Sequence, residues 1–177
     1  MIKFDRSRRA FSLVEILFAV IIIGVLTAVA IPSLFSQKGK ADDSNAKQTL
    51  RTVQQLSRTA QDDSGSFSGT IPAGQNMATY LGSIEKDIKF GAIEDAPSTK
   101  TGNVRSVSIQ LNSEVVTMAA VGGKNSVDTT KENCFGIKIT GDGSAATLYY
   151  RTPTAVGSCK ASTATAGTGV EGDFPSK

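Results

Sequence analysis

Histidine and tryptophan are absent from this chain of 177 residues, and aromatic residues make up only 6% of it. Without histidine the commonest general base and metal ligand is missing, which counts against an enzyme. Cysteine is scarce: Cys134 and Cys159 are the only two, and no Cys/His spacing of a metal site occurs. A P-loop and an N-x-[ST] glycan acceptor are also lacking. The most informative absence is local. From Ile16 to Gln37 there is no charged residue for 22 positions.

The formal net charge of +3 does not describe a basic protein. Residues 1–10 carry Lys3, Arg6, Arg8 and Arg9 against Asp5, which accounts for all of it, so residues 11–177 are neutral overall. No nucleic-acid footprint follows from such a distribution. A basic cluster beside an oily run instead anchors the N-terminus on the cytoplasmic side of a membrane.

Thirteen of the residues from Ile16 to Phe35 are Leu, Ile, Val or Phe. At roughly 0.3–0.6 kcal/mol each they favour insertion by about 4–8 kcal/mol. The one acid at the mouth of the segment, Glu15, opposes by less than the ~3 kcal/mol of a charge at the bilayer centre, because it lies at the end. Insertion wins, with everything after Lys38 outside. A plain transmembrane anchor accounts for the oil but gives Glu15 no role. A secretory signal peptide finds an A-x-A pattern in Ala28-Val29-Ala30, yet the apolar character runs past it through Ile31, Leu34 and Phe35.

The run Ala10-Phe11-Ser12-Leu13-Val14-Glu15 resembles the processing site of type IV pilins and the related pseudopilins. That resemblance covers roughly residues 6–35. It implies cleavage by a membrane peptidase between Ala10 and Phe11, N-methylation of Phe11, and Glu15 as the fifth residue of the mature chain. Gly24 and Pro32 fall where many family members carry a helix-loosening glycine and proline. Ala10 departs from the family's usual glycine but remains small. The physics agrees with these roles. Cleavage creates an α-amino group beside an apolar helix, and the Glu15 carboxylate of a neighbouring subunit supplies its partner when both are buried. Pro32 lacks an amide hydrogen and Gly24 weakens a helix interior by about 1 kcal/mol, so a kink or loosening is expected between them.

Beyond Lys38-Gly39-Lys40 the pattern becomes amphipathic. Ala46, Leu50, Val53 and Ala60 recur at helical spacing with Leu56 adjoining, while Lys47, Gln48, Arg51, Gln54, Gln55 and Arg58 fill much of the rest. Asp62-Asp63-Ser64-Gly65 is a stop signal. A helix from Phe11 to Gln61 would span about 75 Å. Residues 63–103 read as an irregular connection with a charge run at Glu85–Lys89 and a short helix, Met77–Leu81, capped by Asn76. Val107, Ile109 and Leu111 then alternate with Ser106, Ser108 and Gln110. Strands follow at Val115–Val121, around Phe135, Ile137 and Ile139, and at Ala146–Arg151 with Leu148 and Tyr150 on one face. Between them lie a polar loop, Gly122–Asn133, and a hairpin turn at Gly141-Asp142-Gly143. From Thr152 the Thr, Ala, Gly and Ser content predicts extended or mobile backbone.

The expected fold is α+β: a long N-terminal helix, its hydrophobic half protruding, packed on a small antiparallel sheet of about four strands, as in pilins. The expected division is a leader at 1–10, a membrane and assembly helix at 11–38, its amphipathic half at 39–62, and a head at 63–177. If the head is exported, a Cys134–Cys159 bridge is the default and adds roughly 3 kcal/mol by closing a loop of about 25 residues; in the cytosol the two would stay free thiols. Pilins often carry a C-terminal disulfide-bounded loop, so the resemblance favours the bridge. Gly167–Gly172 spells G-x-G-x-x-G without the strand-turn-helix context of a dinucleotide site. Asp42-Asp43 and Asp62-Asp63 read as capping, solvated acids rather than a metal site.

Together these readings describe a non-enzymatic subunit of a type IV pilus-like filament with no cofactor and no metal. It is held in the cytoplasmic membrane as a precursor, head outward, before release to an extracellular fibre. Implied partners are copies of itself, the prepilin peptidase and methyltransferase, and an inner-membrane assembly platform; no nucleic-acid partner is expected. A pseudopilin of a type II secretion or DNA-uptake machine is the alternative within the family, against which the cysteine pair and the long head weigh. A membrane-anchored surface binding module that never polymerises is the alternative from another class.

Overall fold

The computed structural model describes residues 11–91, 94–101, 104–125, 127–141, 146–166 and 169–175, with side chains described except at 32–36 and 101–105. The chain divides into two units, Met1–Lys38 and Gly39–Lys177. Helix α1, Leu13–Ser64, runs through both sequence ranges.

In the second unit, α1 contributes the face read from its periodicity. Ala46, Leu50, Val53 and Ala60 are buried, and Leu56 is half-buried against the same core. Each fully buried Leu or Val of this kind is worth about 1.5–3 kcal/mol relative to exposure. Ser57, also buried, returns its hydroxyl to the Val53 carbonyl at 2.8 Å, which removes the cost of an unpaired polar group. The helix stops where expected. Gly65 takes φ +80°, a conformation that favours glycine, and its N–H bonds to the Gln61 carbonyl at 2.7 Å.

A single turn, α2 (Phe67–Thr70), follows, with Ser66 as its cap through the Gly69 N–H at 2.9 Å. Helix α3 (Met77–Ile84) is capped as the sequence suggests: Asn76 Oδ1 accepts the Thr79 N–H at 2.8 Å, and Met77, Ala78 and Leu81 are buried. Two short strands, β1 (Lys89–Phe90) and β2 (Lys100–Thr101), precede four long ones: β3 (Val104–Asn112), β4 (Val115–Lys124), β5 (Lys131–Thr140) and β6 (Leu148–Ala155). A turn of helix, α4 (Ala161–Ala164), and a two-residue strand, β7 (Val170–Glu171), close the described chain.

The four long strands form the antiparallel meander that the alternation predicts. The sheet is larger, however: its path is β1-β3-β4-β5-β6-β7, six strands, with β2 also pairing with β3. It is mixed, because β1 runs parallel to β3 with Lys89 opposite Ser106. Strands of two residues are too short to carry a period, so alternation does not find β1, β2 or β7. The predicted polar loop also shrinks, since β4 continues to Lys124 and β5 begins at Lys131.

Register assigns the faces. Val107, Ile109 and Leu111 sit opposite Ala120, Met118 and Val116, which in turn oppose Phe135, Ile137 and Ile139. All of these join the cluster that contains Leu50 and Val53, so this face meets α1. On β6 it is Tyr149, opposite Ile137, that shares this face. Leu148 and Tyr150 share the other face, as read from the sequence.

That other face is also covered, which the sequence reading did not anticipate. Ala119, Val121, Cys134, Cys159 and Ala164 form a second buried cluster. The tail expected to be mobile includes α4, whose Ala161 N–H bonds to the buried Ser108 hydroxyl at 2.9 Å. Gly136 lets α4 approach: a Cβ there would stand 2.9 Å from the Ala164 methyl.

Helix α1 comes close to the sheet where Gly39 meets Gly123. A Cβ on Gly123 would lie 2.5 Å from the Gly39 carbonyl oxygen and 2.8 Å from its Cα, both backbone atoms that yield only if the helix moves. Gly123→Ala should therefore cost about 1–3 kcal/mol by overpacking. Gly82→Ala in α3, where the nearest atom is a Phe90 ring carbon at 3.5 Å, should instead gain about 0.5–1 kcal/mol from helix propensity. Denaturant midpoints of the two variants falling on opposite sides of the parent would support this packing; equal midpoints would contradict it.

Candidate functional site

No cluster of three His, Cys, Asp or Glu able to hold a metal ion occurs among the described residues. The acid pair expected to be solvated has another use. Asp43 accepts the Gly123 N–H at 2.7 Å and the Asn133 side-chain amide at 2.9 Å, and Asp42 pairs with Lys100. Both are half-buried and tie α1 to the strands, whereas Asp62 and Asp63 are exposed.

Glu114 has a structural role too. Glu114, in the β3–β4 turn, accepts the Ser68 hydroxyl and the N–H groups of Phe67 at 2.8 Å and Ser68 at 3.2 Å. The Ser68 hydroxyl above all, aided by those two N–H groups and opposed by slight burial, holds its carboxyl below the usual carboxylate range. A lowered native pKa stabilises the fold above the ordinary carboxylate value and loses that contribution as pH falls through the native one. Acidification below that range should loosen the 66–70 turn, and Glu114→Gln should remove that part of the pH dependence in amide exchange of Phe67 and Ser68. An unchanged profile in the variant would contradict the assignment.

Cys134, on β5, and Cys159, after the turn that ends β6, are bonded, with Cα atoms 5.4 Å apart, and both are fully buried. The bridge fastens the chain leading into α4 to the sheet. Beside it the Ser98 N–H donates to the Cys159 carbonyl at 2.6 Å, and the Val121 N–H donates to the Ser98 hydroxyl at 2.9 Å. Of the G-x-G-x-x-G letters, Gly169 packs against Tyr150 and Leu148, and Val170–Glu171 form β7; residues 167 and 168 lie outside the described residues.

The unsatisfied surface is in the first unit. Leu13–Ile31, 19 residues of α1, is long and apolar enough to cross a membrane, and none of it is buried within the protein. Its large side chains are exposed on every side rather than on one stripe, from Leu13 and Phe18 through Ile23 to Val29. A helix apolar all round has its burial elsewhere, in lipid or in other helices. Its one hydroxyl in this stretch, Thr27, is satisfied by the Ile23 carbonyl at 2.7 Å, as hydrocarbon requires.

The predicted site residues fall along this helix. Ala10 lies outside the described residues. Phe11 stands just before the helix and is 77% exposed. The Ser12 carbonyl accepts the Glu15 and Ile16 N–H groups at 3.0 and 3.3 Å and so begins the helix. Glu15 is exposed in the first turn, where a negative charge suits the helix dipole. It makes no ion pair with a described residue. The helix continues through both Gly24 and Pro32. A Cβ at Gly24 would meet nothing within 4 Å, so no contact within the chain demands glycine there.

Residues 5–31 match the family described as the prokaryotic N-terminal methylation motif. That match covers residues 5–10, Phe11, Glu15 and the exposed apolar helix, and it supports a type IV prepilin-like chain of the pilin and pseudopilin class. No curated protein and no solved structure matches the chain.

Proposed function

We propose that this type IV prepilin-like chain is the structural subunit of a type IV pilus-like filament. The observation that carries the reading is an apolar helix with no burial inside its own protein, preceded by a processing motif with one acid at its mouth. Residues 1–10 act as the leader, 11–38 as the membrane and assembly segment, 39–62 as the part of the helix that serves the head, and 63–177 as the head itself. The precursor waits in the cytoplasmic membrane with its head outside, where the buried Cys134–Cys159 bridge is at home.

A prepilin peptidase cuts between Ala10 and Phe11, and Phe11 is methylated. The assembly platform then moves the helix from lipid into a bundle of its own copies. Contacts of this head-to-tail kind do not close, so they yield a helical fibre. Loosening at Gly24 and Pro32 lets the helix adapt to its neighbours. The subunit performs no catalysis, and the filament lies outside the cell. A pseudopilin role shares the motif; the long, disulfide-bonded head favours the pilin.

Mass spectrometry of the mature N-terminus tests this. Methylated Phe11 is the expected result. A chain beginning at Met1 would mean an uncut anchor, and one beginning at Ile31 a secreted domain; either would end the proposal.

A further inference from the structure

Residues 94–99 are tied to β3 and reach from it to the chain that follows β6. The Asp95 N–H donates to the Ile109 carbonyl at 2.9 Å, and the Ser98 hydroxyl donates to the Ser106 carbonyl. The Ser106 N–H donates to the Thr99 carbonyl at 2.8 Å, and the Thr99 N–H to the Ser106 hydroxyl at 2.8 Å. From this seat the Ser98 N–H donates to the Cys159 carbonyl at 2.6 Å. Asp95 accepts the Ser162 N–H on one carboxylate oxygen at 2.9 Å and the Ser162 hydroxyl on the other. Ser108 of β3 takes the Ala161 N–H between them, at 2.9 Å. Asp95 and Ser98 are three positions apart, as are Cys159 and Ser162, so the two segments meet as a bracket.

Two features set this bracket apart from ordinary loop packing. Helix α4 has no cap of its own, since Lys160 makes no side-chain cap bond, and Asp95 serves that end from 67 positions away. Asp95 also has φ +56°, in the left-handed region that favours glycine. Glycine would ease the backbone there but would lack the carboxylate. A residue held against its backbone preference points to a role for its side chain.

The role concerns Cys159. Strand pairing places the chain only as far as Ala155, opposite Lys131. The next turn is closed by the Ser158 N–H on the Ala155 carbonyl at 3.0 Å and the Gly157 N–H on the Glu132 carboxylate at 3.0 Å. Neither bond involves Cys159. The bracket holds that residue by its own carbonyl and holds the two amides at 161 and 162, all by hydrogen bonds that need no bridge.

We propose that Asp95, Ser98 and Ser108 seat residues 159–162 on the sheet before the Cys134–Cys159 bond exists, so that the bridge locks a flap already in place. Asp95 and Ser98 are then positioning residues for bridge formation. The inference concerns the head alone and holds whether or not the chain polymerises. Both cysteines are fully buried in the closed head, so a disulfide oxidant meets either thiol only while the flap is lifted. Exchange gives a mixed disulfide and releases one thiol. The bracket then returns Cys159 to Cys134, the Sγ–Sγ bond forms and a second thiol leaves. The cysteines lose two electrons and two protons, which the oxidant carries off as its two thiols.

The test equilibrates the full chain in detergent with reduced and oxidised glutathione and reads the effective concentration of the cysteine pair. D95G removes the carboxylate yet suits the left-handed backbone. D95N keeps an acceptor for the Ser162 N–H, and S66A removes the cap of α2 instead. Expected is an effective concentration about tenfold lower in D95G, near the parent in D95N and unchanged in S66A. An unchanged D95G, or an S66A that falls as far, would overturn the bracket. Amide exchange of C134A/C159A gives the second readout. Ala161 and Ser162 should stay protected without the bridge, and adding D95G should cut the Ser162 protection about tenfold. Free exchange at 161 and 162 beside a protected sheet would mean that the bridge places the flap, and would overturn the proposal. Global unfolding of C134A/C159A would overturn it too, because a seated flap requires a folded head without the bond.

Discussion

Replacing Phe174 by alanine should cost the head about 3–5 kcal/mol, more than any single charge on its surface. Phe174 is buried, edge-on to Phe135 with ring centroids 5.6 Å apart and to Tyr149 at 5.1 Å. The Lys47 ammonium of α1 lies 5.7 Å from its ring centre and 5.1 Å from that of Phe135. The last described residues therefore act as a strap that ends under α1. Its visible ion pair, Asp173 with Arg51 at 2.6 Å, is exposed on both sides. The Phe174 N–H first, then Arg51, hold the Asp173 carboxyl below the usual range, but an exposed pair of this kind is worth about 0–1 kcal/mol. Ring burial decides the strap's stability and the charges only place it. Denaturant unfolding of the detergent-solubilised chain should show a large loss for Phe174→Ala and almost none for Asp173→Ala. The reverse order would refute this division.

Phe174 illustrates what the sequence hides. A lone aromatic in a tail rich in Thr, Ala, Gly and Ser has no period around it, and its partners, Phe135, Tyr149 and Lys47, lie 25 to more than 120 residues away in sequence. The same holds for α4. Ala161 and Ala164 carry no hydrophobic signal strong enough to read, yet they cover a sheet face because small residues permit close backbone approach over Gly136. Ser108 alternates with Val107 and Ile109, and on its own face it is buried where its hydroxyl accepts the Ala161 N–H. Where a period or a local hydrogen bond specifies the element, the reading transfers well. The α1 stripe, the Asn76 cap, the stop at Gly65 and the four long strands all depend on neighbours within a few positions. The apolar segment was legible for a related reason: its message is composition, which needs no tertiary context.

Changing Glu15 to alanine should leave the chain inserted and trimmed but reduce filaments by orders of magnitude. Removing an acid from the end of an apolar helix slightly favours the membrane, so storage is unaffected. In the monomer Glu15 is exposed and pairs with no described residue, so the fold does not depend on it either. Its cost arises only in the bundle. In the proposed bundle the amino group freed at Phe11 would be buried among Leu, Ile and Val side chains, and its removal from water would be offset only if a carboxylate met it. Losing the partner leaves an unpaired buried charge, at about 3–5 kcal/mol per contact, or roughly 10²–10⁴-fold in the association constant for each added subunit. Glu15→Gln should fail almost as badly, since an amide retains shape and hydrogen bonding but not charge. A trimmed, membrane-held Glu15→Ala chain with few fibres by electron microscopy is the expected result, and blocking the Phe11 amine by acetylation should make the parent behave the same way. Abundant fibres from either variant would show that the helices find their register without this pair, and the acid would then be no more than a favourable charge at a helix start.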